Sequence, residues 1–132
     1  MRVTGACQCG EVRYEAEVDP QAVGICHCTD CQRLTGSAYR VTVSALPGQF
    51  QLLTGEAQRY RKMGDSGRPS DQFFCGNCGS PMWRSDAEGV EISLRVGCID
   101  QRAFIRPAHQ SFLKSALPFV FDIRDLPEGP ND

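Results

Sequence analysis

Several things are scarce in this sequence, and each scarcity excludes something. The formal charge of the 132 residues is only −2, so there is no basic excess to serve as a footprint for nucleic acid or anionic lipid. Long apolar runs are missing, so there is no candidate membrane span. The opening stretch, MRVTGACQCG, has no apolar signal-peptide core and is expected to be mature and cytosolic. No segment sustains an apolar period of 3.6 residues, which argues against a helical fold. Gly36, Gly64 and Gly67 are not followed by the Lys-Ser/Thr of a phosphate-binding loop. Repeats, linkers and a second domain are also lacking. One domain over residues 1–132 is therefore expected, with a tail frayed from about residue 126.

Short alternating segments and cysteine are what the chain does have. Residues 11–18, EVRYEAEV, place Val12, Tyr14, Ala16 and Val18 on one face and charges on the other, the pattern of a half-buried strand. Residues 90–96, VEISLRV, do the same with Val90, Ile92, Leu94 and Val96 inward. Shorter strands are expected around Tyr39–Val43, Phe50–Leu53 and 119–123. Turn signals separate them at Pro47-Gly48, Thr54-Gly55, Gly64–Pro69 and Glu88-Gly89. Asp19-Pro20 can start one helical turn, and Thr29 or Asp30 can cap a turn between Cys28 and Cys31. The expected class is mainly β, built from short antiparallel strands.

Seven of the eight cysteines fall in tight groups: Cys7 and Cys9, Cys26, Cys28 and Cys31, Cys75 and Cys78; Cys98 stands alone. Disulfide staples gain most by joining distant segments, whereas clustered thiols suit one metal ion. In extended backbone the C-x-C spacing puts two sulfurs on one face. FFCGNCGS (73–80), with Gly76 and Gly79, has the form of a zinc-ribbon turn. Pairing Cys7 and Cys9 with Cys75 and Cys78 gives a closed four-thiolate site. The remaining trio, Cys26, Cys28 and Cys31, has the count of a catalytic zinc, three protein ligands and one vacancy. Other readings stay open: His27 or Cys98 as a fourth ligand, or Cys28/Cys31 with Cys75/Cys78 as one ribbon. Arg59, Arg61, Lys62 and Arg68 form a basic stretch that is either solvated or receives substrate carboxylates.

GACQCGEVRYE, CHCTDCQRLTG and FFCGNCGS, in this order, resemble the glutathione-dependent formaldehyde-activating enzyme family. The resemblance runs from Gly5 to about Asp100. It implies a β-tent domain of short antiparallel sheets and two zinc ions per chain. One would be a structural zinc on Cys7, Cys9, Cys75 and Cys78. The other would sit on Cys26, Cys28 and Cys31, where a thiol substrate such as glutathione binds. The implied activity is that of a carbon–sulfur lyase or synthase acting on S-hydroxymethylglutathione. Family members usually carry a Pro-Trp pair near the C-terminus; here the segment reads Leu117-Pro118-Phe119, and the sole tryptophan is Trp83. The alternatives are a non-catalytic zinc-stabilised binding module and a thiol or metal sensor.

Overall fold

The computed structural model describes residues 1–131. Its strands are β1 (Arg2–Ala6), β2 (Arg13–Cys26), β3 (Arg40–Thr54), β4 (Ala57–Met63), β5 (Pro69–Cys75), β6 (Pro81–Asp86), β7 (Ile92–Arg95) and β8 (His109–Ser111). One α-helix, α1 (Thr29–Thr35), follows β2. The strands join in one hydrogen-bonded sheet of order β1-β2-β3-β7-β6-β5-β4, with β8 beside β2. All pairs are antiparallel except β2–β8. The protein is mainly β, as its alternating segments predict.

The 11–18 alternation is realised as written: Val12, Tyr14, Ala16 and Val18 are all buried. They meet Val3, Val23, Val43, Met82, Trp83, Leu94, Ile99 and Ile105 in the core. Each large apolar side chain buried there contributes about 1.5–3 kcal/mol. Tyr14 lies at the centre, 5.4 Å from the Phe50 ring and 6.0 Å from Trp83 in a T-shaped contact. Gly5 allows this, because a Cβ at that position would run into the Tyr14 ring. Burial pushes the Tyr14 phenol up, and its hydroxyl has no hydrogen-bond partner.

Several expectations are corrected. The two short strands expected at 39–43 and 50–53 are ends of one strand, β3. Pro47-Gly48 makes no chain reversal there; Gly48 has φ +72°, and the β2–β3 register shifts between Ala16 and Val18 and again between Val18 and Val23. Asp19-Pro20 lies inside β2 rather than starting a helical turn. Residues 118–121 form a 3-10 helix instead of a strand, because Pro118 fits the first turn of a helix and cannot donate to a ladder. Val90 is 63% exposed, since it sits in the turn before β7. The strands expected as separate short sheets form one continuous sheet. Residues 126–131 have no regular structure.

This arrangement positions the cysteines. Cys7 and Cys9 precede β2, whose last residue is Cys26. Cys28 and Cys31 stand at the start of α1, and Cys75 ends β5. The long β2 therefore connects the two groups of thiols.

Candidate metal centres

The sulfurs of Cys7, Cys9, Cys75 and Cys78 all lie within 4.8 Å of one another. The Cys7–Cys9 separation is 3.6 Å and that of Cys9–Cys75 is 3.8 Å. A zinc ion about 2.3 Å from four sulfurs in a tetrahedron needs them about 3.8 Å apart. The local backbone explains the convergence. Cys7 N–H donates to Val12 O at 3.0 Å and Gly10 N–H to Cys7 O at 3.1 Å, closing the chain around the first pair. Gly79, with φ +80°, turns the second pair so that its N–H reaches Cys75 O at 2.8 Å. An added side chain there would be strained.

Backbone donors then point at sulfur. Val12 N–H donates to Cys7 Sγ at 3.3 Å, and Asn77 and Cys78 N–H to Cys75 Sγ at 3.4 and 3.5 Å. Ser80 Oγ lies 3.3 Å from Cys78 Sγ and accepts from Gln8 N–H at 3.0 Å, so one hydroxyl touches both halves of the site. The Ser80 hydroxyl, followed by backbone N–H groups of Ser80 and Cys9, pulls the Cys78 thiol down to about 5. Donors aimed at sulfur stabilise thiolate, the form a metal needs.

Cys26, Cys28 and Cys31 form the second set, again within 4.8 Å of one another. Cys28 caps α1: its Sγ accepts from Cys31 N–H at 3.3 Å. The Cys28 and Cys31 sulfurs are 3.0 Å apart, so seating a metal would spread them by about 0.8 Å. Burial pushes the Cys31 thiol up. Against the same effect of burial, the Cys31 sulfur and amide hold Cys28 below the ordinary thiol value. Among the described residues no fourth His, Cys, Asp or Glu joins this set.

The trio opens onto a cleft of about 490 Å³ whose lining includes Leu34, Arg40, Lys62, Asp65, Phe112 and Lys114. The far wall is the 109–115 segment. It is anchored by β8 on β2 (Gly24↔His109, Cys26↔Ser111) and by Gln32 Nε2, which donates to Ser115 O at 3.0 Å and His27 O at 2.9 Å. Gly24 gives the His109 ring room; a Cβ would strike it.

The remaining sequence candidates fall into place. His27 is not with the thiols: it is 1% exposed, and its Nε2 is 2.8 Å from Gln110 Oε1. Cys98 is outside both sets and its Sγ donates to Pro81 O at 3.2 Å. Of the basic stretch, Arg61 grips buried Asp71 with two bonds of 2.7 and 3.0 Å, Arg59 lies 3.8 Å from the same carboxylate, and Lys62 pairs with Asp30 at 2.8 Å. Only Lys62 of these four reaches the cleft. Trp83 stacks on Phe73 at 5.1 Å in the core, so it does not stand in for a pocket tryptophan. Two cleft residues that sequence reading missed are Phe112, at φ +57°, and Lys114; no local motif marks either. Arg40 was missed as well, although it lies opposite Cys26 across the ladder.

Comparison with known proteins adds a family and a fold. The family model described as "Glutathione-dependent formaldehyde-activating enzyme" matches residues 2–115. A crystal structure of a Rhodobacter sphaeroides protein superposes with a TM-score of 0.63 at 20% identity, covering 82% of this chain and 99% of that one. At that identity the likeness is one of fold. No curated protein matches the chain in sequence.

Proposed function

The chain belongs to the glutathione-dependent formaldehyde-activating enzyme family, and from that premise we propose that it is a zinc-dependent carbon–sulfur lyase or synthase acting on a thiol adduct. S-hydroxymethylglutathione is the nominal adduct. The observation that carries the reading is the open trio: three convergent sulfurs facing a cleft with no fourth side-chain donor among the described residues. The two thiol sets fit two zinc ions per chain. On this reading Cys7, Cys9, Cys75 and Cys78 hold a structural ion and Cys26, Cys28 and Cys31 a second one. The whole chain acts as one zinc-binding domain, and a cytoplasmic location belongs to the same reading, because metal-binding thiols must stay reduced.

Held by Cys26, Cys28 and Cys31, zinc would supply a soft Lewis acid suited to a substrate sulfur in its thiolate form. The chain's own residues do the rest. Cys26, Cys28 and Cys31 would hold the ion as thiolates and place it at the cleft that they line. Lys62 and Lys114 line the cleft where the carboxylates of glutathione would lie, and Phe112 and Leu34 give it apolar surface beside the trio. In the forward direction a sulfur–carbon bond forms to formaldehyde, the carbonyl π pair moves to oxygen, and that oxygen takes a proton from water. The reverse returns that proton to water, breaks the same bond and leaves thiolate and formaldehyde. Holding sulfur beside the aldehyde contributes through proximity.

The test is glutathione–formaldehyde exchange followed by NMR on protein carrying two zinc ions. Acceleration that disappears in Cys31→Ser is expected. An exchange rate indifferent to the protein would contradict the assignment and favour a binding module. A sensor reading has one observation behind it, the 3.0 Å approach of Cys28 and Cys31. It predicts that mild oxidant releases the second ion with formation of that disulfide.

A further inference from the structure

Beside the cleft lies a second cavity, of about 380 Å³, lined in part by Thr35, Tyr39, Arg40, Arg95, Gly97 and Cys98. Arg40 borders both cavities. Arg95 is 5% exposed. Its Nη2 donates to Gln72 Oε1 at 2.6 Å, while its Nε and Nη1 are buried with no partner, as is Nε of Arg40. None of the ion pairs among the described residues involves Arg40, Arg84 or Arg95. Gln72 is itself a cleft residue. Its Nε2 donates to Ser70 Oγ at 2.9 Å, and Arg84 Nε donates to the same oxygen at 3.0 Å.

A buried guanidinium with no carboxylate is costly unless another anion faces it. Across the ladders Arg40 lies opposite Cys26, and Arg95 lies opposite Thr42, two residues on from Arg40 along β3; Gln72, which holds Arg95, lines the cleft of the trio. Cys98, the sulfur that shares this cavity with Arg95, spends its proton on Pro81 O at 3.2 Å. The remaining candidate is the trio.

We propose that Arg95, backed by Arg40, is the fixed countercharge of the three-cysteine centre, a pair of positioning residues that favour an anionic fourth ligand over a neutral one. The proposal rests on the open zinc site of the preceding section. Three thiolates on a divalent ion leave a formal charge of −1, and a bound substrate thiolate makes it −2. A neutral ligand adds no charge and gains nothing from a cation behind the site. Arg95 therefore raises affinity for the thiolate form of a substrate while leaving neutral donors unaffected.

The experiment uses the full chain loaded with cobalt in place of zinc, whose absorption reports the ligands of each site. It is titrated with 2-mercaptoethanol, a thiol without carboxylates, and separately with imidazole. The variants are Arg95→Gln, Arg95→Lys and Arg40→Gln, each checked by circular dichroism. Arg95→Gln is expected to weaken 2-mercaptoethanol binding about tenfold, the scale of one unit charge about 12 Å away at an effective dielectric near 20. Imidazole binding and the four-sulfur spectrum should not change. Arg95→Lys should restore most of the loss, and Arg40→Gln should lose less in the same direction. If Arg95→Gln does not fold, the half-buried Arg40 carries the test. Folded variants that bind both ligands like wild type, or lose both equally, overturn the proposal alone. A wild-type spectrum that ignores thiols overturns the open-site reading and this proposal with it.

Discussion

The two cysteine clusters are made of the same atoms and differ in what surrounds them. Around the four-sulfur set, backbone N–H groups of Val12, Asn77 and Cys78 point at sulfur, and Ser80 Oγ lies 3.3 Å from Cys78 Sγ. Its halves come from chain segments 66 residues apart at Cys9 and Cys75. Around the three-sulfur set, among the described residues, a single backbone donor, Cys31 N–H, reaches sulfur, and the trio borders a cleft that Arg40, Lys62 and Lys114 also line. On the proposed reading, a site supported by its own backbone donors holds the chain together. A site finished by a cavity and distant charge leaves room for a ligand.

The largest expected effect comes from the closed site. Structural zinc in small domains contributes about 10–16 kcal/mol of apparent binding free energy, against about 5–15 kcal/mol for whole-domain stability. Cys75→Ser should therefore abolish cooperative thermal unfolding measured by circular dichroism. A normal melt would show that the four-sulfur set is not structural. Next is Cys31→Ser, which should remove one zinc by elemental analysis and all adduct exchange while costing about 1 kcal/mol or less of stability. An unfolded variant would erase the contrast between the centres.

Gly24→Ala sharpens the comparison from the side of the cleft wall. The new methyl displaces His109 and with it the 109–115 segment, an overpacking cost of about 1–3 kcal/mol. Thiol affinity should fall, with the four-sulfur site retained under chelator. Ser80→Ala acts on the four-sulfur site, removing a hydroxyl that touches Cys78 Sγ and Gln8 N–H. It should cost about 1 kcal/mol in denaturant unfolding with both zinc ions kept. The smallest effect is at Asp71, held below the ordinary carboxylate range first by its hydrogen bonds from Arg61. A carboxyl with a depressed folded-state pKa adds stability above its unfolded value, and that stability is lost as pH falls through the folded value. Asp71→Asn should flatten the acid limb of the stability–pH curve and leave both metal sites intact.

The cysteine grouping was legible because C-x-C and C-x-x-C spacings fix which sulfurs share a face whatever the rest of the chain does. The 11–18 strand was legible because its inner residues are all apolar. Elsewhere polar residues turned inward. In β7, the alternation that sends Leu94 to the core also sends Arg95 to the opposite face, which reads as solvent. β7 lies between β3 and β6, and Arg95 is buried there. Asp71, Gln72 and Ser85 are likewise buried, which disguised β5 and β6. The cleft wall at Phe112 and Lys114 depends on β8 docking parallel to β2 across a long separation in sequence, a pairing that no local pattern encodes. The basic stretch at 59–68 could not be resolved in sequence because the partners Asp71 and Asp30 lie on other elements.

Cadmium NMR of the doubly substituted protein, recorded before and after addition of glutathione, tests the contrast between the centres most directly. The account predicts two resonances in the region of sulfur-rich coordination, of which one stays fixed and the other shifts as the added thiol takes its place. A single resonance, or two that are both indifferent to glutathione, would contradict it.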